Sequence, residues 1–198
     1  MKLVILDRNG TINVLREDFV KNEAEWLPLP GALEAIARLN QAGWRVVIVS
    51  NQSGLGRGLF DMAALNAMHA KMHKMLAAVG GRVDAVFFCP HAVDEDCDCR
   101  KPRPGLYLQI GERYGIDLRS VPAAGDSLRD LQAAVSAGCE PHLLLSGADA
   151  TLSSADPLPS DYPANTQVHL NLAAFADHLL TREVASGPGA ASKQAPAA

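Results

Sequence analysis

Four short runs of apolar residues, Leu3 to Leu6, Val46 to Val49, Ala85 to Phe88 and Pro122 to Ala124, are separated by stretches of helical periodicity. That alternation constrains the fold more than any other feature of the chain. Strands that stay apolar along their whole length must be buried on both faces, and strands that alternate with helices build βαβ units around a parallel sheet. His142 to Leu145 is a candidate fifth strand, and Val168 to Leu170 a sixth, followed by a helix over Leu172 to Leu180. The expected fold class is α/β.

The helices carry their own punctuation. Pro30-Gly31 opens one that presents Ala32, Leu33, Ile36, Ala37 and Leu39 and stops at Gly43, in keeping with proline at helix starts and glycine just past their ends. Asp61 is placed to cap the next, whose Leu65, Met68, Met72, Met75, Leu76 and Val79 recur at spacings of mostly three and four, so the methionine stripe is core. Pro104 to Tyr114 and Leu128 to Ala137 are expected helices closed by Gly115 and Gly138. Residues 148–165, rich in Ser, Pro, Asp and Ala, are expected to form a loop. From Val184 onward the chain is small, polar and proline-bearing. The expected organisation is one domain over 1–183 and a disordered tail over 184–198.

Composition mainly excludes. No apolar run approaches the roughly 18 residues that span a bilayer, and the N-terminus turns polar after four apolar residues, too few for a signal-peptide core. The expectation is a soluble, cytoplasmic protein. A net charge of −4 argues against a nucleic-acid or anionic-membrane surface. Four cysteines are too few for a disulfide scaffold in 198 residues, and Cys139 is most simply a small buried apolar residue.

The strand ends carry the chemistry. The first ends in Asp7-Arg8-Asn9-Gly10-Thr11, the second in Ser50-Asn51-Gln52-Ser53-Gly54 and the fourth in Gly125-Asp126-Ser127, with Asp130 four residues beyond Asp126; a loop between holds Arg100-Lys101-Pro102. Open parallel sheets bind their ligands at the carboxyl ends of the strands. A carboxylate nucleophile, a hydroxyl beside backbone donors, a lysine and a further carboxylate can converge there on a tetrahedral anion and one divalent cation.

Ahead of that lysine, Cys89-Pro90-His91, five intervening residues and Cys97-Asp98-Cys99 supply three thiolates and one imidazole. Cys89, His91, Cys97 and Cys99 suit a tetrahedral Zn²⁺, and four protein ligands close the shell, so the ion is expected to be structural and to brace the loop bearing Lys101. His69 and His73 share the i, i+4 spacing of a zinc pair, but no Glu follows His69 and no third ligand is in view. They are expected to be surface histidines beside the methionine stripe.

These four segments, in this order, resemble the haloacid dehalogenase superfamily of phosphohydrolases from Lys2 to about Gly147. The resemblance implies a Rossmann-like parallel sheet flanked by helices, with no large cap domain. Short loops around Leu15 to Leu29, Ser53 to Phe60 and the zinc loop are left to wall the pocket. It makes Asp7 the nucleophile of an aspartyl-phosphate and gives Ser50 and Lys101 the phosphoryl group. Asp7, Asp126 and the carbonyl of residue 9 would be ligands of a catalytic Mg²⁺, with Asp130 supporting Asp126 or the ion's water shell. Thr11, Asn51, Arg57 and Arg100 become candidate substrate contacts, the arginines for a sugar or its second phosphate. The zinc loop and the run Ser-Asn-Gln-Ser-Gly-x-x-Arg-Gly at 50–58 are similar to a sugar-bisphosphate phosphatase branch that supplies lipopolysaccharide precursors. A histidinol-phosphatase branch shares the zinc loop and stays open as an alternative, as does a non-catalytic phosphosugar binder. The expected partner is a small-molecule sugar bisphosphate and the expected state a monomer.

One position departs from the superfamily pattern, which has aspartate two residues after the nucleophile where this chain has Asn9. There the aspartate protonates the leaving oxygen and then deprotonates the attacking water. Asparagine keeps the backbone carbonyl and the shape but carries no transferable proton. The chain is expected to bind metal and substrate yet turn over poorly. An introduced substitution that traps substrate and a natural loss of function both leave this pattern.

Overall fold

Each apolar run becomes a strand whose alternate side chains feed two separate cores. The computed structural model describes residues 1–152 and 157–186, in the order β1 (Leu3–Leu6), α1 (Ala32–Gln41), β2 (Arg45–Asn51), the single turn α2 (Ser53–Gly56), α3 (Met62–Ala78), β3 (Ala85–Cys89), α4 (Gly105–Tyr114), a 3₁₀ turn (Leu118–Ser120), β4 (Pro122–Gly125), α5 (Leu128–Ser136), β5 (Glu140–Leu144), β6 (Gln167–His169) and α6 (Leu172–Ser186). Val4, Leu6, Val46 and Ile48 point to the face covered by α1, α3 and α6, whereas Leu3, Ile5, Val47 and Val49 point to the face covered by α4 and α5. A period of two along strands buried on both sides requires this division.

The strands pair in parallel in the order β3-β2-β1-β4-β5-β6. The chain winds outward from β1 through β2 to β3, then returns to lay β4 on the other side of β1. The carboxyl edge between β1 and β4 is therefore the topological switch point, where open α/β sheets form a crevice. Asp7 and Asp126 are the first residues beyond those two strands.

Local signals act as anticipated in most places. Gly31 caps α1 in the left-handed region at φ 74°, and Asp61 accepts from the Ala64 amide at 2.8 Å. Of the six methionine-stripe positions, Leu65, Met68, Met72 and Leu76 are buried, and Met75 and Val79 are partly buried against the same core. Strand ends shift by one or two residues, and three further features differ. Serine and glycine over 53–56 form one helical turn against the zinc loop, the 3₁₀ turn was not foreseen, and α6 runs to Ser186. The last puts positions 184–186, assigned from composition to a tail, in a helix; residues 187–198 lie outside those described. No helix of the described residues is long and apolar enough to cross a membrane.

At the β5–β6 edge, His142 is fully buried against α6, with its Nδ1 3.0 Å from His169 Nε2, the His169 ring stacked on it, Phe175 edge-on and the His178 ring tilted alongside. Burial, reinforced by His169, His178 and Arg182, pushes His142 down to about 3, and burial beside His178 pushes His169 down to about 4. Both rings are therefore neutral in the fold, while in the unfolded chain they take protons below about pH 6.5. The unfolded state binds more protons in that window, so stability is complete above pH 6.5 and is lost as pH falls toward 4. At about 1.4 kcal/mol per pH unit per proton, His142→Leu is expected to lessen the stability lost between pH 7 and pH 5 by about 2 kcal/mol. Urea unfolding at the two pH values checks this through the slope, whatever the substitution does to absolute stability.

Candidate active site

A single ammonium group organises the switch-point crevice. Lys101 is buried, with Nζ 2.5 Å from Asp7 Oδ1, 2.6 Å from Asp130 Oδ1 and 3.1 Å from the Val49 carbonyl. Burial alone would deprotonate it, but the charges of Asp130 and Asp7 hold its pKa above the ordinary lysine value. Asp130 feels the reverse balance: burial works against its charge, and Lys101 with the Ser127 hydroxyl, 2.6 Å away, holds it below the usual carboxylate range. Burial and the charge of Asp130 push Asp7 up, against the pull of Lys101.

Asp126 completes the group. Its Oδ2 accepts from the Ala148 amide at 2.6 Å, and two glycines make room for it. A Cβ on Gly10 would stand 2.2 Å from that oxygen and one on Gly147 2.0 Å. Burial, with Asp7 and Asp130 beside it, pushes Asp126 up to about 8. Asp7, Asp126 and Asp130 bring oxygens within 4.8 Å of one another. Three buried carboxylates around one ammonium leave negative charge uncompensated, and hard oxygen donors in that arrangement fit a small divalent cation such as Mg²⁺.

The other anticipated residues fall into several places. Asn9 lines the cavity above this group, and its Oδ1 accepts from Arg8 Nη2 at 3.2 Å, Arg8 Nε at 3.4 Å and Asn13 Nδ2 at 3.1 Å. Ser50 is buried and accepts from Gln52 Nε2 at 2.7 Å, while Ser53 faces the cavity. Asn51 also lines it, and its amide clasps the lysine's own backbone, donating to the Lys101 carbonyl and accepting from the Lys101 amide, both at 3.1 Å. The Thr11 hydroxyl is buried with no hydrogen-bond partner among the described residues. Asp130 is held by Lys101 and by the start of its own helix. Its hydrogen bonds go to Lys101 and, as a capping box, to Ser127, not to Asp126.

The cavity holds about 290 Å³, and Arg16, Phe19, Val93, Arg100 and Arg129 line it with Asp7 and Asp130. Its walls are the anticipated loops. Arg57 does not reach the lining; it lies over the Phe19 ring at 5.7 Å and backs that wall. Arg129 was missed because a helix-start arginine reads as a surface charge. Its one signal is position, three residues after the strand-end Asp126 at Gly125-Asp126-Ser127-Leu128-Arg129. His69 was set aside as a surface residue, yet it reaches Arg8 Nη1 at 3.4 Å.

The cysteine loop gathers as expected. Cys89 Sγ lies 3.7 Å from Cys97 Sγ and 3.5 Å from His91 Nδ1, and His91 Nδ1 lies 3.2 Å from Cys99 Sγ. With Zn–S near 2.3 Å and Zn–N near 2.0 Å, ligand atoms of a tetrahedral zinc stand roughly 3.5–3.8 Å apart, so the set can bind zinc. Arg100, next to Cys99, donates from Nη1 to the His91 carbonyl at 3.4 Å. Gly56 lets α2 approach the loop, where a Cβ would come 2.4 Å from the Ala92 amide.

A family model for haloacid dehalogenase-like hydrolases matches residues 2–138. The chain is 56% identical over 180 residues to a D-glycero-beta-D-manno-heptose-1,7-bisphosphate 7-phosphatase of Bordetella bronchiseptica, covering 91% of this chain and 98% of the relative. It is 46% identical over 178 residues to the Pseudomonas aeruginosa enzyme of that name, covering 90% and 97%. A crystal structure of the B. bronchiseptica D,D-heptose 1,7-bisphosphate phosphatase, complexed with magnesium and phosphate, superposes with a TM-score of 0.87 at 55% identity, over 92% of this chain and 99% of that one.

Purified under reducing conditions, the chain is expected to carry one zinc. Cys97→Ser is expected to lose it and to lower Tm by about 5 °C or more, since the binding free energy of a structural zinc is folding free energy. Metal analysis beside thermal melts decides this; full zinc and an unchanged melt in the Cys97→Ser form would remove the site.

Proposed function

This chain belongs to the haloacid dehalogenase-like hydrolases, and we propose that its reaction is hydrolysis of the C7 phosphate of D-glycero-D-manno-heptose 1,7-bisphosphate, in the supply of lipopolysaccharide precursors, with turnover held down by Asn9. The observation that carries the reading is the Asp7 carboxylate, lining a cavity with its Oδ1 2.5 Å from the buried Lys101 ammonium. Asp7 attacks phosphorus and displaces the sugar oxygen, giving an aspartyl-phosphate that water then hydrolyses. Lys101 offsets charge on the phosphoryl oxygens, and Ser50, whose hydroxyl proton is not taken up by Gln52, donates to one of them. Asp7, Asp126 and the carbonyl of residue 9 would hold Mg²⁺, which would offset the charge of nucleophile and phosphate against one another.

Substrate choice rests on the rim. Arg100 and Arg129 line the cavity and make no carboxylate ion pair among the described residues, whereas Arg16 is engaged with Asp18 at 3.1 Å. Two available guanidinium groups beside the phosphoryl site suit a substrate with a second phosphate. The identities of 56% and 46% to enzymes named for that heptose bisphosphate support the same choice. Arg57 acts indirectly, through Phe19. The same reading has one domain working as a cytoplasmic monomer on a small molecule, a state that sedimentation of the purified chain measures.

Asn9→Asp is expected to raise turnover by about 10²–10⁴, the contribution of a positioned general acid/base, with little change in Mg²⁺ affinity because metal ligation uses the backbone. Asp7→Asn in that background abolishes turnover, an amide being too weak a nucleophile. Phosphate release from heptose bisphosphate, fructose bisphosphate and histidinol phosphate, with a Mg²⁺ titration, tests the set. A higher kcat/KM for histidinol phosphate would transfer the chain to that branch, and equal turnover with Asn9 and Asp would mean that the proton moves elsewhere.

A further inference from the structure

Arg8 is fully buried, and among the described residues it is the only buried arginine. It makes no ion pair there. Its hydrogen bonds instead run in one line across the site: Nη1 to His69 Nε2 at 3.4 Å on the α3 side, Nη2 and Nε to Asn9 Oδ1 at 3.2 and 3.4 Å on the other. Asn13 Nδ2 reaches the same Oδ1 at 3.1 Å and is itself fixed by the Val14 carbonyl at 2.9 Å. Three donors thus aim at one oxygen. An amide oxygen offers two lone pairs and no charge, whereas a carboxylate offers about four acceptor sites and a full negative charge. The charge of the adjacent Asp7 acts on the guanidinium, but its side-chain hydrogen bonds go only to amide and imidazole groups, so it lacks a hydrogen-bonded counter-ion.

We infer that Arg8, steadied by His69, is a positioning residue that fixes the side chain of residue 9 at the cavity, and that this cradle is built for a carboxylate there. The guanidinium and Asn13 tie down one terminal oxygen and so leave the second terminal atom of residue 9 for the cavity that the residue lines. His69 acts at one remove. By accepting from Nη1 it holds the guanidinium plane, and loss of that acceptor lets a long, rotatable side chain drift. His69 Nε2 must then be the unprotonated nitrogen. The inference rests on the reading of residue 9 as the proton-transfer position.

Two measurements test it, one independent of activity. Melts without added divalent cation should show that Asn9→Asp raises Tm by about 3 °C or more, and that this gain disappears in an Arg8→Gln background. An Asn9→Asp form with no higher Tm would overturn the carboxylate cradle. In the Asn9→Asp background, His69→Leu should lower kcat about tenfold with KM changed less than about twofold, and His69→Gln, which keeps an acceptor, should recover most of the loss. Equal kcat for the Leu and Gln forms would overturn the positioning role. An Asn9→Asp form that melts higher but releases no phosphate from any substrate offered would instead sink the proposed reaction and leave the cradle standing. The two failures are thereby distinguishable, and neither reading depends on Arg8→Gln folding.

Discussion

The interaction on which the rest of this site depends is the buried ammonium of Lys101 between Asp7 and Asp130. Two carboxylates brought together out of water repel one another and lose hydration, and each would take up a proton if left alone. A lysine 2.5 and 2.6 Å away opposes that for Asp7 and reverses it for Asp130. It also joins parts of the chain that are far apart in sequence: the end of β1, the segment after the zinc loop and the first turn of α5. Removing one member of such a buried group costs about 3–5 kcal/mol, because it strands a charge. The geometry of the site and the stability of the crevice are therefore the same quantity seen from two sides.

Because Lys101 sits in a loop, its position has to be imposed from outside. Asn51, at the end of β2, clasps its amide and carbonyl, and Arg100 next to it is tied back to the zinc loop through the His91 carbonyl. Asp126 is fixed differently, by close backbone approach. Gly10 and Gly147 converge on its Oδ2 from two loops, and any side chain at either position would occupy the carboxylate's own space. At Gly10 the backbone also stands at φ 78°, in the left-handed region that glycine enters without cost.

The fold was legible in the sequence wherever a signal is local and repeated. Doubly buried strands, Pro-Gly and Asp61 at helix starts, and the zinc spacing all act through neighbours within a few positions. Asp7 and Asp126 were legible because strand ends in a parallel sheet share one edge, so separate segments could be placed together before any contact was known, and Lys101 was legible from the Arg-Lys-Pro run that follows the zinc spacing. What escaped was set by contacts between elements. Arg57 and Arg129 are indistinguishable as charges in a sequence, but helix α5 aims one at the cavity while Phe19 keeps the other behind the wall. Asp130 fits both a helix cap and a metal support by spacing, whereas its ion pair with Lys101, 29 positions away in the chain, carries no local signal. His69 had no signal at all, since its partner lies 61 positions away. The end of α6 shows the opposite failure, where composition alone stopped a helix that in fact continues to Ser186.

The two metal-competent groups divide their work by donor chemistry. Carboxylate and carbonyl oxygens at the switch point suit a hard cation that keeps water in its shell and leaves positions open for substrate. Three thiolates and an imidazole suit zinc, and a tetrahedral shell filled by protein leaves no position for chemistry. With Cys99 and Lys101 two positions apart, a soft donor set directly adjoins a hard one, and the difference in ligand type favours a different ion at each. The closed site can then serve as a rigid anchor for the loop, which a chain without a large cap would otherwise have to hold with apolar packing alone. That frees the exposed side of the loop, including Val93 at 65% exposure, to act as a wall of the cavity and not as part of the core.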